Sequence, residues 1–272
     1  MTAGGSSAPP RLVALDLDGT TIDHAGVLSP LVADAVTAVV AAGLHVVIAT
    51  GRSIVATTPI VAALGLTSGY AVCSNGAVTI RLDPGQERGY QIVDTVTFDP
   101  RPALSLLRAA APEALVAVED LGVGFKVSAP FPDGELGGEQ VVVDWEDLVS
   151  GPVTRVTLRR PEATSEDFME LVERVGLHGV SYAVGWTAWL DINPEGVSKG
   201  SALELVRRRL GVEPADTVAV GDQRNDLEML AWAARGVAMG QAPAEVKAAA
   251  DEVTGTVEDD GLVPVLRSLV RG

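Results

Sequence analysis

The chain has few of the residues that support redox, zinc or nucleic-acid chemistry. Its single cysteine, Cys73, cannot form an intrachain disulfide, and its three scattered histidines lack the spacing of a zinc site. Only 20 lysines and arginines stand against 36 aspartates and glutamates, which gives a formal net charge of −16. A surface of this charge repels polyphosphate backbones and anionic lipid head groups. We therefore expect no nucleic-acid partner and no membrane partner, and the low cysteine content favours a cytoplasmic location.

Long apolar runs are also missing. The stretch 31–48 is interrupted by Asp34, Gly43 and His45, and no run approaches the roughly 20 apolar residues that span a bilayer. Residues 1–10 consist mainly of Gly, Ser, Ala and Pro, without the basic start and apolar centre of a signal peptide. This segment is predicted to be a flexible tail.

Short apolar runs, by contrast, recur along the first part of the chain. Residues 12–15, 44–49 and 70–73 are predicted strands, each followed by a polar cluster, and helical segments lie between them. Strands that alternate with helices indicate a parallel sheet, whose ligands bind at the carboxyl ends of the strands. The polar clusters are all predicted to lie at those ends.

The pattern changes in the middle of the chain. Residues 86–189 read as further strands and helices around a Pro- and Gly-rich stretch at 130–138, which is typical of an inserted α+β domain. After this insertion, the alternation of short apolar strands with helices returns. We therefore predict a core formed by residues 11–85 and 190–272, and a cap formed by residues 86–189.

Four polar clusters could support chemistry. Asp16 and Asp18 place two carboxylates at one strand end, although an acidic turn has the same composition. Thr50 and its neighbours offer a hydroxyl and backbone N–H groups to a phosphate, or simply a helix cap. Asp222 follows another strand, and Lys199 opens a helix, where many lysines only face solvent.

Taken together and in this order, the clusters resemble the motifs of the haloacid dehalogenase (HAD) superfamily of phosphohydrolases. More narrowly, the chain resembles the Cof-type sugar-phosphate phosphatases, which have a C2B-type cap. The matching stretches are residues 16–20, 49–52, 74–77, 194–203, 221–230, 237–240 and 258–262. Gln241 departs from the pattern, since relatives often have Asn there. The resemblance implies an α/β fold with a Rossmann-like core, whose mainly parallel sheet is flanked by helices, and an inserted α+β cap.

The resemblance also implies a role for each matching residue. Asp16 is the expected nucleophile, Asp18 the general acid and base, and Lys199 the fixed cation beside the nucleophile and the phosphate. The residues expected to bind phosphate or substrate are Thr50, Gly51, Arg52, Asn75, Gly76, Lys199 and Asn225.

The expected cofactor is Mg²⁺, because the available ligands are all oxygen atoms. Its expected ligands are the Asp16 carboxylate, the Asp18 backbone carbonyl and Asp222. Asn225 and Asp226 are expected beside them, where they would orient the ligands or water.

The predicted function is a magnesium-dependent phosphatase that hydrolyses small phosphomonoesters, expected to be sugar or polyol phosphates, through an aspartyl-phosphate intermediate. A phosphomutase is an alternative, because it shares the nucleophile, metal and acid/base and differs in its product. A non-catalytic metabolite-binding protein is less favoured, since every expected catalytic position holds a competent residue. The cap is expected to select the organic part of the substrate. Trp186, Trp189 and His24 could border the pocket, although strand packing is favoured for at least one of the tryptophans and a solvent-facing loop position for His24.

Overall fold

The structure is a computed structural model that describes residues 11–184 and 189–270. Its strands are β1 (Leu12–Leu15), β2 (His45–Ala49), β3 (Gly69–Cys73), β4 (Val78–Leu82), β5 (Tyr90–Thr95), β6 (Leu115–Asp120), β7 (Gly124–Val127), β8 (Glu139–Val142), β9 (Val156–Arg159), β10 (Val180–Val184), β11 (Trp189–Pro194), β12 (Thr217–Gly221), β13 (Arg235–Ala238) and β14 (Glu252–Val253). Its helices are α1 (Pro30–Ala41), α2 (Ile54–Ala63), α3 (Arg101–Ala110), α4 (Trp145–Leu148), α5 (Ser165–Val175), α6 (Lys199–Leu210), α7 (Leu227–Trp232), α8 (Ala244–Ala249) and α9 (Leu262–Val270). The predicted tail at residues 1–10 lies outside the described residues.

The first sheet has eight strands in the order β14-β13-β12-β1-β2-β3-β4-β5. Its strands from β14 to β3 pair in parallel, whereas β3 with β4 and β4 with β5 are antiparallel. Alternate residues of β1 enter two different apolar clusters: Val13 and Leu15 one, Leu12 and Ala14 the other. This alternation buries both faces of the sheet under helices, so the predicted mainly parallel α/β core is confirmed.

Local sequence explains where the helices of this core begin and end. Ser29 caps α1 by accepting a hydrogen bond from the Leu31 N–H, and Pro30 occupies the first turn. Helix α6 begins with a capping box formed by Ser198 and Ser201 and ends at Gly211, which has a left-handed backbone.

The second sheet has six strands in the order β10-β11-β9-β6-β7-β8 and is antiparallel except between β7 and β8. Helices α3 and α5 cover one face through residues such as Leu107 and Phe168, and Phe125 and Phe131 lie in a smaller cluster. We call residues 101–194, which contain this sheet and its helices, the cap. The predicted inserted α+β unit is therefore present.

The strand pairing corrects the predicted boundaries at both ends of the insertion. Strand β5, which the prediction assigned to the cap, pairs with β4 and extends the first sheet. Strand β11, which the prediction assigned almost wholly to the core, pairs with β9 and β10 in the second sheet. Both errors have one cause, because the sheet that a strand joins is decided by pairing with distant residues and not by its own composition.

Among the described helices, none has the length and apolar character needed to cross a membrane.

Candidate active site

Four parallel strands of the first sheet end in polar residues at one edge. Asp16 follows β1, Thr50 follows β2, Ser74 follows β3 and Asp222 follows β12. Strand β1 pairs with both β2 and β12, so the ends of these three strands are adjacent. The predicted convergence of polar groups at this edge is therefore present in the structure.

Lys199 lies at the centre of this group. Its ammonium Nζ donates hydrogen bonds of 2.6 Å to Asp16 Oδ1 and of 2.6 Å to Asp226 Oδ1. The lysine is only 1% exposed, and both carboxylates are buried with it. The N-terminus of α6 holds it there, because Gly76 allows the backbone of Ser198 to approach so closely that a Cβ atom would lie 2.2 Å from the Ser198 carbonyl oxygen.

The electrostatics of this group are dominated by burial and by crowded negative charge. Burial, followed by the nearby Asp226 carboxylate, raises the pKa of Asp16 well above its ordinary value, and the Lys199 ammonium opposes this rise. The pKa of Lys199 is raised despite burial, because Asp16 and Asp226 favour its charged form. The lysine is therefore a fixed cation, and it offsets only part of the negative charge around Asp16.

Asp222 lies close to Asp16 at the same edge of the sheet. Its carboxylate is fully buried and accepts hydrogen bonds from Thr20 Oγ1 at 3.3 Å and from Gln223 Nε2 at 3.1 Å. Burial, and then the charge of Asp226, raises the pKa of Asp222 to about 6. Gly19, with φ of +80°, makes room for this carboxylate, since a Cβ atom there would lie 2.4 Å from Asp222 Oδ2.

Asp16, Asp222 and Asp226 form a group in which ligand oxygens lie within 4.8 Å of one another. Asp226 has both oxygens engaged: Oδ1 accepts from Lys199, and Oδ2 accepts from the backbone N–H groups of Asp222 and Gln223 at 2.9 Å each. Both oxygens of Asp222 also accept hydrogen bonds, but from the neutral side chains of Thr20 and Gln223. Of the three carboxylates, Asp226 is the one bound both by the ammonium and by backbone N–H groups, so a cation would displace fewer strong contacts at Asp16 and Asp222. Asp226 instead fixes the loop that carries Asp222.

Arg52 contacts the second carboxylate of the first motif. Its guanidinium forms a two-pronged ion pair with Asp18, with distances of 2.8 Å from Nε to Oδ2 and of 2.5 Å from the terminal nitrogen to Oδ1. Thr50 is fully buried, and its hydroxyl oxygen accepts a hydrogen bond from the Arg52 N–H at 3.1 Å. The loop at residues 50–52 therefore contacts the loop at residues 16–20 directly, through the ion pair between Arg52 and Asp18.

Ser74 and Asn75 join this edge to the cap. Both have left-handed backbones, with φ of 50° and 53°, a conformation that costs non-glycine residues about 1 kcal/mol or more each. The Ser74 hydroxyl donates to Glu119 Oε2 at 2.7 Å, and the Asn75 amide donates to Asn193 Oδ1 at 3.3 Å. Asn225 donates to Asn75 Oδ1 at 3.0 Å.

The predicted phosphate-binding residues occupy different places at this edge. Lys199 binds Asp16, and Asn75 is joined to Asn225 by a hydrogen bond. Thr50, Gly51, Arg52 and Asn225 surround the edge that carries Asp16. Gly76 packs against the start of α6 and positions Lys199; its contact with a phosphate stays a prediction.

A cavity of about 500 Å³ opens above Asp16 between the core and the cap. Its core side includes Asp16, Asp18 and Arg52, and its cap side includes Phe125, Leu136, Arg155, Trp189 and Asp191. The polar cap residues Glu119, Arg155, Asp191 and Asn193 are absent from the predicted site. Their sequence context gave no signal of a site, because a polar residue in or beside a short strand is typical of a strand with one face in solvent.

The other residues that the sequence analysis singled out lie in different places. Trp189 lines the cavity, and its indole N–H donates to Asp191 Oδ1 at 3.0 Å, whereas Trp186 lies outside the described residues. His24 also lines the cavity. Gln241 donates to the Gly19 carbonyl at 2.5 Å and accepts from the Val257 N–H at 3.1 Å, so it braces the loop that carries Gly19. Cys73 is buried in the core, and burial raises its pKa to about 12, as expected for an unreactive thiol.

The family model of haloacid dehalogenase-like hydrolases matches residues 13–121 and 134–266. The chain belongs to this family. The resemblance on which the prediction rested is thereby confirmed, together with the prediction that the chain is an enzyme of the hydrolase class. The matched residues include every strand of the core except part of β1, and they contain the site residues described above except Phe125.

Individual relatives match over almost the whole chain. A pyridoxal phosphate phosphatase of Escherichia coli is 29% identical, over 95% of this chain and 98% of the relative. A phosphoglycolate phosphatase of Natronomonas pharaonis is 29% identical, over 93% and 95%. Among solved structures, a phosphatase of the same superfamily from Bacteroides thetaiotaomicron is 26% identical with a TM-score of 0.77, over 98% of each chain.

Proposed function

We propose that the protein is a magnesium-dependent phosphatase that hydrolyses small phosphomonoesters through a phosphorylated Asp16. The observation that carries the proposal is the environment of Asp16 at the floor of the cavity. Its carboxylate is held at Oδ1 by the buried Lys199 ammonium, and Asp222 lies beside it. A nucleophile, a fixed cation and a second carboxylate thus converge where a phosphate group can enter.

The chemistry of the donor set fits a hard divalent cation. Asp16 and Asp222 offer carboxylate oxygens, and burial raises the pKa of both, which is the behaviour of carboxylates that lack a balancing charge. Magnesium is bound in proteins by few carboxylates together with phosphate oxygens and water. When bound here, the cation would neutralise charge between Asp16 and the incoming phosphate and polarise a phosphate oxygen.

The proposed reaction has two displacement steps. Asp16 attacks phosphorus, forms a P–O bond and breaks the ester bond to the organic alcohol, which leaves with a proton from Asp18. Water then attacks the phosphorus of the phosphorylated Asp16 and gives its proton to Asp18, which releases phosphate and restores both carboxyl groups. Lys199 and the N–H groups near Thr50 would stabilise the charge that develops on the phosphoryl oxygens.

The ion pair between Asp18 and Arg52 sets a condition on this scheme. A proton donor cannot at the same time be a carboxylate held in a salt bridge, so the acid role requires Arg52 to leave Asp18 when substrate binds. The phosphate dianion is a suitable new partner for the guanidinium, because the fork of N–H groups matches phosphate oxygens. Both side chains are partly exposed at the cavity, which leaves room for this exchange.

We propose sugar or polyol phosphates as the substrate class. The relatives named above act, by their names, on pyridoxal phosphate and on phosphoglycolate, so the organic part varies within the family. A cavity of about 500 Å³ is suited to a small metabolite, since ligand pockets of about 300–1,000 Å³ hold molecules of that size. Its cap side, which includes Trp189, would face the organic part.

The test is a phosphate-release screen of the purified chain across sugar phosphates, polyol phosphates, nucleotides and pyridoxal phosphate, with magnesium or with a chelator. The proposal expects free phosphate only with magnesium. A product in which the phosphate has returned to the sugar would favour the phosphomutase. Tight binding of a substrate with no turnover under any metal would favour the non-catalytic binding protein.

A further inference from the structure

The cap side of the cavity has a distinctive charge arrangement around Arg155. This arginine is buried, and its guanidinium lies between two carboxylates, 3.9 Å from Glu119 Oε2 and 3.9 Å from Asp191 Oδ2. It also donates a hydrogen bond to the Gly51 carbonyl and packs over the Phe125 ring at 5.2 Å. One cation is thus surrounded by two anions, and the group carries a net charge of −1.

The other charged residues on the cavity wall are paired. Arg52 is engaged by Asp18, and Glu135 is bound in two-pronged fashion by Arg159, at 2.8 and 2.9 Å. Residues 185–188 contribute no charged side chain, because their sequence is Gly-Trp-Thr-Ala. Within the described part of the chain, therefore, the cap wall holds no arginine or lysine in excess of its carboxylates.

We propose that Glu119 and Asp191 are specificity-determining residues that make the cavity select phosphomonoesters whose organic part carries no second negative charge. The inference rests on the proposed function and narrows its substrate class. Arg155 alone would attract a carboxylate or a second phosphate. The two flanking carboxylates offset that attraction, so an anionic group entering this space meets a net negative wall.

The flanking carboxylates are held firmly, so their charge beside Arg155 is permanent: Asp191 lines the cavity, whereas Glu119 acts on it through its proximity to Arg155. Glu119 Oε2 accepts hydrogen bonds from Ser74 at 2.7 Å and from Thr154 at 3.0 Å. Asp191 Oδ1 accepts from Thr157 at 2.7 Å and from Trp189 at 3.0 Å. Asp191 Oδ2 also accepts from the Asn75 amide at 3.4 Å. Neither side chain can turn away when an anion approaches without losing at least two hydrogen bonds.

The experiment compares two substrates of equal length, sorbitol phosphate and phosphogluconate, which differ mainly in whether the far carbon is an alcohol or a carboxylate. It is run with magnesium at about pH 8. We expect kcat/KM to favour sorbitol phosphate by at least tenfold, which corresponds to about 1.4 kcal/mol.

The decisive variant is Glu119→Gln. Its amide can keep the acceptor oxygen on Ser74 and Thr154, because Glu119 Oε1 has no hydrogen-bond partner within the described residues and can be replaced by NH₂. We expect this variant to reduce the preference for sorbitol phosphate by at least threefold. Asp94→Asn is the matched control: it also removes one negative charge, but from an ion pair with Arg209 outside the cavity, and should leave the ratio unchanged. Asp191→Asn, which should also reduce it, is the second variant if Glu119→Gln does not fold.

Two results would overturn the inference. One is a wild-type enzyme that hydrolyses phosphogluconate as well as sorbitol phosphate or better, with Arg155→Met abolishing that activity, because Arg155 would then be an anion-binding residue. The other is a wild-type preference for sorbitol phosphate that neither Glu119→Gln nor Asp191→Asn alters. Failure of the proposed function would look different, since no phosphate would be released from either substrate or from p-nitrophenyl phosphate.

Discussion

The metal-free protein should become less stable as the pH rises, and Asp222 explains why. Its carboxyl group is fully buried beside Asp226, and its pKa is raised from 3.8 to about 6. Between these values the folded state holds a proton that the unfolded chain releases, so the free energy of unfolding falls as the pH increases through this window. Above about pH 6 the folded state has also released this proton, so Asp222 lowers the free energy of unfolding no further.

The magnitude follows from the size of the shift. About two pKa units correspond to about 3 kcal/mol, and roughly half of this falls above pH 5. The raised pKa of Asp16 acts in the same direction, whereas the pKa of His45, which burial lowers, acts in the opposite direction. Carboxylates with a lowered pKa, such as Glu204, which is bound by Arg207 and Arg208, titrate at lower pH and do not oppose the trend above pH 5. For a chain of this size, about 1.4 kcal/mol corresponds to a fall in Tm of about 3–6 °C.

The assay is thermal unfolding in a chelator between about pH 5 and pH 8, repeated with saturating magnesium. Magnesium should add stability mainly at the higher pH, because it binds the ionised carboxylates and only in the folded state. Asp222→Asn is the matched variant: its amide does not titrate, so both the pH dependence and the magnesium effect should shrink. A Tm that does not change with pH in the chelator, or a magnesium effect that persists in full in Asp222→Asn, would refute the reasoning.

Three further predictions concern the same edge of the sheet. Lys199→Met should abolish turnover and lower the free energy of unfolding by about 3–5 kcal/mol, because it leaves Asp16 and Asp226 buried without their cation; stability and activity equal to the wild type would contradict the central place of the lysine. Gly19→Ala should weaken magnesium binding, since its Cβ would meet the Asp222 carboxylate. Gly26→Ala is the control, because Gly26 has the same φ of +80° with open space around it, so the substitution should cost similar backbone strain without affecting magnesium binding. Titrations that show equal magnesium affinities for the two variants would argue against Asp222 as a ligand. Asp18→Asn should reduce kcat by at least about a hundredfold while the fold and magnesium binding persist, because an amide cannot transfer the proton; normal steady-state turnover would assign the acid role elsewhere.

The core could be predicted from sequence because its signals are local. Each parallel strand, such as β1, is a short apolar run that ends directly in a polar residue, and this arrangement is visible without knowledge of the partner strands. Asp16 and Asp222 were found in this way. Their proximity followed from a topological rule, that the carboxyl ends of parallel strands lie at one edge.

The cap side of the site could not be predicted in the same way. Glu119, Arg155 and Asp191 lie in or beside strands of the second sheet, and they are buried only because that sheet packs against Ser74 and Gly51 of the core. Charged residues in an isolated strand would be assigned to a solvent-facing side. Contacts between residues about 45 and 104 positions apart decide their burial, and composition carries no record of such contacts.

The pairing of Asp18 with Arg52 was also not predictable from sequence. The motifs indicated a phosphate-binding loop and an acid, yet not that the two would contact each other before substrate arrives. Backbone geometry decides this contact, because Thr50 fixes the Arg52 N–H and thereby the direction of the chain at that point. The same is true of Gly76, whose importance lies in a close approach to Ser198 that no local pattern indicates.

The most direct test of the account is to trap the phosphorylated enzyme. Wild-type protein with magnesium is mixed with an excess of a hydrolysed substrate, quenched in acid and treated with borohydride, which reduces an aspartyl phosphate to homoserine. Peptide mass spectrometry should find homoserine at position 16, and Asp16→Asn should show neither this product nor phosphate release. Turnover by Asp16→Asn at the wild-type rate, or homoserine at another aspartate, would contradict the claim that Asp16 is the nucleophile.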